Sequence, residues 1–124
     1  MAYASAVALT VQDITRAGKS LDHDMVAATA THGNKFINDG RTVLRVKNGS
    51  GAPITATIDN PAVVDGQAVA DLVVSVAATG DGSGLDYQDI GPFPPSFNQA
   101  DGYVWAVFSA VATVTVGAYR LPKA

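Results

Sequence analysis

The side chains best suited to proton transfer in this 124-residue chain are His23 and His32, together with 11 acidic residues, every one an aspartate. Histidine changes charge near neutrality, so a His–carboxylate pair is the simplest acid–base or metal-binding set. His23 stands between Asp22 and Asp24, and a paired-histidine metal site would need one of these aspartates as a further ligand. The spacing of the histidines, one in a loop and one in an early strand, fits no metalloprotease-type motif, so exposed loop histidines are the expectation. The stretch Gly80-Asp81-Gly82-Ser83-Gly84 is rich in glycine but lacks the lysine and following helix of a phosphate-binding loop. It reads as a hairpin tip. Asp81, Asp86 and Asp89 are oxygen donors of the kind calcium takes, but their spacing matches no EF-hand loop. With so many aspartates, carboxylate pairs arise by chance, and a pair alone does not indicate glycoside hydrolysis. Asn48-Gly49-Ser50 is formally a glycosylation sequon and equally an ordinary hairpin turn, and no basic signal-peptide region precedes it. The chain has no cysteine, hence no disulfide, iron–sulfur cluster or thiol nucleophile. The expectation is no catalytic residue, no metal site and no cofactor; the protein is not read as an enzyme.

The elements that would carry any site follow from composition. An acidic set without glutamate argues against a helical bundle, because Glu favours helix interiors while Asp favours turns and caps. Twelve Gly and six Pro in a Val/Thr-rich background point the same way. A net charge of −3 with only eight Lys and Arg leaves no electrostatic footprint for nucleic acid or anionic lipid. No apolar run reaches the roughly 18 residues of a membrane helix. The length suits one domain.

Residues 1–24 read as an N-terminal segment or arm, with a short strand near residues 6–12 and a brief helix as the competing reading. Residues 25–124 read as the β domain. Thr42–Asn48 alternates, with Leu44 and Val46 on one face and Val43, Arg45 and Lys47 on the other. Residues 54–59 place Ile54, Ala56 and Ile58 inward, and residues 72–77 do the same with Leu72, Val74 and Val76. Residues 87–90, 103–109 and 113–119 supply further strands. The expected fold is all-β: an antiparallel β-sandwich, Ig-like or jelly-roll-like, of about seven to eight strands, with a partly closed barrel as the other topology.

One strand departs from the half-buried pattern. Val104, Ala106 and Phe108 can fill a core, yet Tyr103, Trp105 and Val107 make the opposite face apolar as well. Either the chain covers that face itself or another subunit does, and Trp and Tyr are frequent interface anchors. Phe93, Pro94, Pro95 and Phe97 gather aromatics and a rigid proline pair in one loop. That loop either caps the sandwich or docks on a protein. These seven residues are the candidate interface.

The block from Gly33 to Gly49, containing Asn38-Asp39-Gly40-Arg41-Thr42, resembles a family of small virion proteins of tailed bacteriophages. So do Val64-Asp65-Gly66-Gln67-Ala68-Val69-Ala70-Asp71, Ile90-Gly91-Pro92-Phe93-Pro94-Pro95, Asn98-Gln99-Ala100-Asp101-Gly102 and Val116-Gly117-Ala118-Tyr119-Arg120-Leu121, with Val11-Gln12-Asp13-Ile14-Thr15-Arg16-Ala17-Gly18 more weakly. The resemblance covers nearly the whole chain. It implies a β-sandwich structural protein that decorates (cements) the capsid exterior by binding major capsid protein subunits, made in the host bacterial cytoplasm. It names no catalytic residue. The expected partners are the major capsid protein and other copies of the chain, a trimer on local threefold axes, with no nucleic acid and no membrane. The alternatives are a head–tail neck protein, or a head-fibre or tail module that binds a protein or a glycan. A small hydrolase using His23 or His32 is the least favoured.

Overall fold

The computed structural model describes residues 5–18, 25–80, 82 and 84–121. His23, Asp22, Asp24, Asp81 and Ser83 lie outside the described residues, and so does part of the N-terminal segment.

The fold is an all-β sandwich. Twelve strands run through the described residues: β1 Val7–Ala8, β2 Val11–Asp13, β3 Val26–Ala27, β4 Asn34–Ile37, β5 Thr42–Asn48 and β6 Ile54–Ile58. They continue with β7 Val63–Val64, β8 Gln67–Ala68, β9 Leu72–Val76, β10 Tyr87–Ile90, β11 Tyr103–Phe108 and β12 Val114–Arg120. The first sheet has the order β1-β4-β11-β6-β9. The second has the order β10-β5-β12-β2, with β3 also pairing β12. β7 and β8 form a separate hairpin between β6 and β9.

The strand count exceeds the seven or eight expected because short elements escape periodicity. β3, β4, β7 and β8 are two to four residues long, too short to display a repeat of two. The N-terminal region forms two strands, one in each sheet, and both pair parallel: β1 with β4 and β2 with β12. The other ladders are antiparallel. The chain crosses from one sheet to the other at residues 9–10, so Leu9 is buried where the sheets meet.

Alternation in the long strands builds the core. Leu44 and Val46 of β5, Ile54, Ala56 and Ile58 of β6, Val104, Ala106 and Phe108 of β11, and Val114, Val116 and Ala118 of β12 are all buried, with Phe36 from β4. Each large side chain so buried contributes about 1.5–3 kcal/mol. In β9, the edge strand of its sheet, the expected inward set forms a gradient: Val76 is buried, Val74 half-buried and Leu72 38% exposed.

Buried asparagines join the loops to this core. Asn48 is fully buried. Its Nδ2 donates to the carbonyls of Ala52 (2.8 Å) and Ala77 (3.1 Å), and its Oδ1 accepts from the Ser50 amide (2.9 Å) and hydroxyl (2.7 Å). The sequon asparagine is therefore an internal clamp. Asn34 works similarly, accepting from the Thr29 amide at 3.0 Å and donating to the Val7 carbonyl at 3.3 Å. A buried amide satisfied on both sides stabilises modestly, but losing it strands its partners.

Candidate interaction face

The outer face of the first sheet is built by strand register. Phe36 points inward from β4, so Lys35 and Ile37 point outward. Val104 and Ala106 point inward from β11, so Tyr103, Trp105 and Val107 point outward, each half-buried. Tyr103 pairs with Ile37 and Trp105 with Lys35 across the β4–β11 ladder. Val107 pairs with Thr57, and Thr57 with Val73 of β9. The result is a band of Ile37, Tyr103, Trp105, Val107, Thr57 and Val73 lying across four strands. Ile37 is 43% and Val73 59% exposed. Contiguous apolar surface of this kind marks an interaction site more often than isolated apolar residues do.

The chain covers this face only in part. Gly33 lets the β3–β4 loop approach β11: a Cβ there would stand 2.0 Å from the Ala106 carbonyl oxygen, and its φ of +68° favours glycine. The neighbouring His32 carbonyl accepts a 2.7 Å hydrogen bond from the Trp105 indole Nε1. This bond satisfies the polar edge of Trp105 and fixes the ring's orientation. Lys35 lies over the Tyr103 ring, 5.4 Å from its centroid.

Of the two readings of the proline loop, capping the sandwich or docking on a protein, Phe93 follows the first. Phe93 is 3% exposed. Its ring meets Phe36 (centroids 5.8 Å) and Phe97 (5.5 Å). Gly91, at φ +124°, is closely packed: a Cβ there would meet Phe93 and the Thr42 carbonyl at 3.1 Å. Phe93 is thus a core residue that closes one end of the sandwich. Phe97 is half-buried against it, in one turn of 3₁₀ helix at Pro95–Phe97. Pro94 and Pro95 remain exposed. Asn38 Nδ2 holds the loop by donating to the Phe93 carbonyl (3.1 Å) and Asn98 Oδ1 (2.7 Å), and Gln99 Nε2 donates to Asp59 Oδ2 (2.6 Å).

Of the seven sequence-derived candidates, Tyr103, Trp105 and Val107 share the band, while Pro94 and Pro95 sit on the end loop. Ile37 and Val73 were not anticipated. Nothing in their local sequence announces them, since register alone brings them beside β11. Val63 and Val64, 62% and 61% exposed on the β7–β8 hairpin, form a separate apolar tip.

Some of the described aspartates hold backbone and arginine partners in place. Asp39 accepts from the Arg41 amide (2.9 Å) and the Thr42 hydroxyl (3.1 Å), and also pairs with Arg120 (3.4 Å). Partial burial pushes its carboxyl up, but the Arg41 amide, the Thr42 hydroxyl and the two arginines outweigh this and hold it below the ordinary carboxylate value. Arg120 bonds Asp13 at 2.7 Å, and this pairing raises its pKa. Among the described residues, no three His, Cys, Asp or Glu side chains converge as a metal site. A cleft of about 550 Å³ lies beside β1 and β3, lined by residues such as Val7, Thr10, Gln12, Val26, Thr29 and Asn34. None of its lining side chains titrates near neutrality. No family model matches the chain, nor does any curated protein or solved structure.

Proposed function

We propose that this protein is a structural component of a tailed-phage virion that decorates and stabilises the capsid, docking on the outer surface of major capsid protein subunits. The observation that carries the reading is the apolar band on the outer face of the first sheet, a face that an isolated sandwich would keep polar. The resemblance through Asn38-Asp39-Gly40-Arg41-Thr42 and Gly91-Pro92-Phe93-Pro94-Pro95 supplies the virion context. These same residues tie the end loop to the sheets: Asn38 holds the Phe93 carbonyl, and Gly91 admits the Phe93 ring. A rigid end loop fits a protein that must bind without reorganising, because preorganisation lowers the cost of association.

The test is co-sedimentation of the purified chain with capsids that lack it, alongside the variants Val107→Lys and Ile37→Lys. The wild-type chain should pellet with capsids at a copy number comparable with the major capsid protein. Each variant should fold normally and stay in the supernatant. Failure of the wild-type chain to bind capsids, or unchanged binding by both variants, overturns the proposal. A far lower copy number in particles assigns the chain to the neck or a fibre instead.

A further inference from the structure

The first sheet ends at β9 on an open edge. In the β6–β11 ladder, the Ser109 amide donates to the Thr55 carbonyl (3.0 Å) and the Asp59 amide to the Trp105 carbonyl (2.9 Å). Bonding direction alternates along an antiparallel strand. Thr55, Thr57 and Asp59 therefore face β11, and Ile54, Ala56 and Ile58 face β9, opposite Val76, Val74 and Leu72. It follows that Val73 and Ser75 aim their amide N–H and carbonyl groups away from the sheet, where no described strand pairs with them. The open stretch is bounded on both sides. Asp71 accepts from the Asn60 amide at its start, and the Ala77 amide donates to the Leu85 carbonyl at its end.

Free edges normally carry a lysine, a proline or a bulge that prevents pairing with another chain. β9 has none of these. Its sequence is Leu-Val-Val-Ser-Val, and its pairing with β6 runs without interruption.

We propose that β9 pairs antiparallel with β9 of a second copy of this chain, about a twofold axis, so that the first sheet continues across a dimer. Val73 exchanges both backbone bonds with Ser75 of the partner subunit, and Val74 meets Val74 of the partner subunit on the axis. Charge does not oppose a second copy on this edge, and it selects the direction. No ionisable side chain lies between Leu72 and Thr79, and the nearest is Asp71. Antiparallel self-pairing sends the two Asp71 carboxylates to opposite ends of the strand pair, roughly 20 Å apart along the strands. Parallel pairing would stack them. In this register the Val107–Thr57–Val73 row meets Ser75 of the partner subunit, and the two Val73 side chains stand diagonally across the axis on the same face. An isologous contact of this kind closes as a dimer, in place of a threefold trimer. The inference does not depend on the capsid reading.

The experiment is sedimentation equilibrium of the full chain, with amide hydrogen exchange, at concentrations up to about 0.1 mM. The wild-type chain should have the mass of a dimer, with slow exchange at Val73 and Ser75. Ser75→Pro removes only the outward N–H, which the β6 ladder does not use, and edge strands tolerate proline there. Val73→Lys adds the missing edge charge without touching the backbone. Both variants should be monomeric, with the circular dichroism of the wild type. If Ser75→Pro misfolds, Val73→Lys decides alone. A wild-type monomer throughout this range, a dimer that survives Val73→Lys, or Val73 and Ser75 amides that exchange fast in the dimer would each overturn the proposal. So would protection of these amides only on capsids, which would assign the edge to a foreign strand.

Discussion

The outer faces of the two sheets handle the same problem in opposite ways. On the second sheet, Arg45 lies over the Tyr87 ring at 4.4 Å and its Nη1 donates to both carboxylate oxygens of Asp89 at 3.2 Å. Tyr119 points outward from β12 yet is almost fully buried, its ring lying back over Gly117, where a Cβ would stand 2.7 Å from the phenol oxygen. That face closes over itself with charge pairs and a folded-down aromatic ring. On the first sheet the Trp105 indole donates to the His32 carbonyl, and the ring stands opposite Lys35 on a face it shares with Ile37, Tyr103, Val107 and Val73. The difference separates a face closed by its own side chains from one that leaves apolar side chains partly exposed.

The largest expected effect comes from breaking the tether that keeps the first face in order. Gly33→Ala must push the β3–β4 loop off the Ala106 carbonyl and disturb the Trp105–His32 bond. A loss of about 3 kcal/mol is expected, from steric clash together with a left-handed backbone that alanine resists. Chemical denaturation measures the loss, and a red shift of Trp105 fluorescence reports the uncovered indole. Unchanged stability and emission would mean that the loop does not order this face.

Next in size is the seam that both faces share. Asn48→Ala leaves the Ala52 and Ala77 carbonyls and the Ser50 amide without their buried partner, at an expected cost of about 2 kcal/mol. Because Asn48 lies on β5 and Ala77 follows β9, both sheets should lose cooperativity together in urea unfolding. Separate transitions for Trp105 fluorescence and far-UV circular dichroism would show that the seam does not couple them.

A smaller effect sharpens the contrast directly. Arg45→Ala on the second face removes a half-exposed ion pair and a cation–π contact, for about 1 kcal/mol of stability. Capsid co-sedimentation should not change. Val107→Lys on the first face should do the reverse, keeping stability within about 0.5 kcal/mol while abolishing capsid binding. The same response from both variants would erase the distinction between the faces.

The long strands were legible in the sequence because their burial is periodic: Leu44 and Val46, Ile54 to Ile58, and Val104 to Phe108 alternate as the pleat requires. The double-faced apolarity of Tyr103–Phe108 was legible too, and it led to Tyr103, Trp105 and Val107. The remainder of the band was not, because Ile37 and Val73 reach it through ladder register, and no local pattern encodes which residue of one strand stands opposite another. For a related reason the place of Phe93, capping the sandwich or docking, stayed open. A proline-flanked aromatic in a loop looks exposed until the backbone at Gly91 is known to turn it inward. The β7–β8 hairpin did carry a signal, Asp65-Gly66 with both φ values positive, but its two-residue arms show no alternation. Asn48 read as a turn residue because a turn follows it directly; it closes β5, and its side chain reaches the core.

The smallest effect concerns the end of the sandwich where Asp39 meets Arg41 and Arg120. Its carboxyl is held below the ordinary value of about 3.9, so the folded state binds a proton less readily than the unfolded chain. The stability this contributes is fully present above the unfolded pKa and is lost as pH falls through the folded one. Urea midpoints should therefore fall on acidification below about pH 4, and Asp39→Asn should flatten part of that fall while lowering stability at neutral pH. The change should leave capsid binding at pH 7 intact, because Asp39 lies outside the apolar band. A wild-type slope that persists unchanged in Asp39→Asn would show that the acid sensitivity arises elsewhere. Lost binding in that variant would extend the working surface from the sheet face to the end of the sandwich, and the contrast between the two faces would no longer define the site.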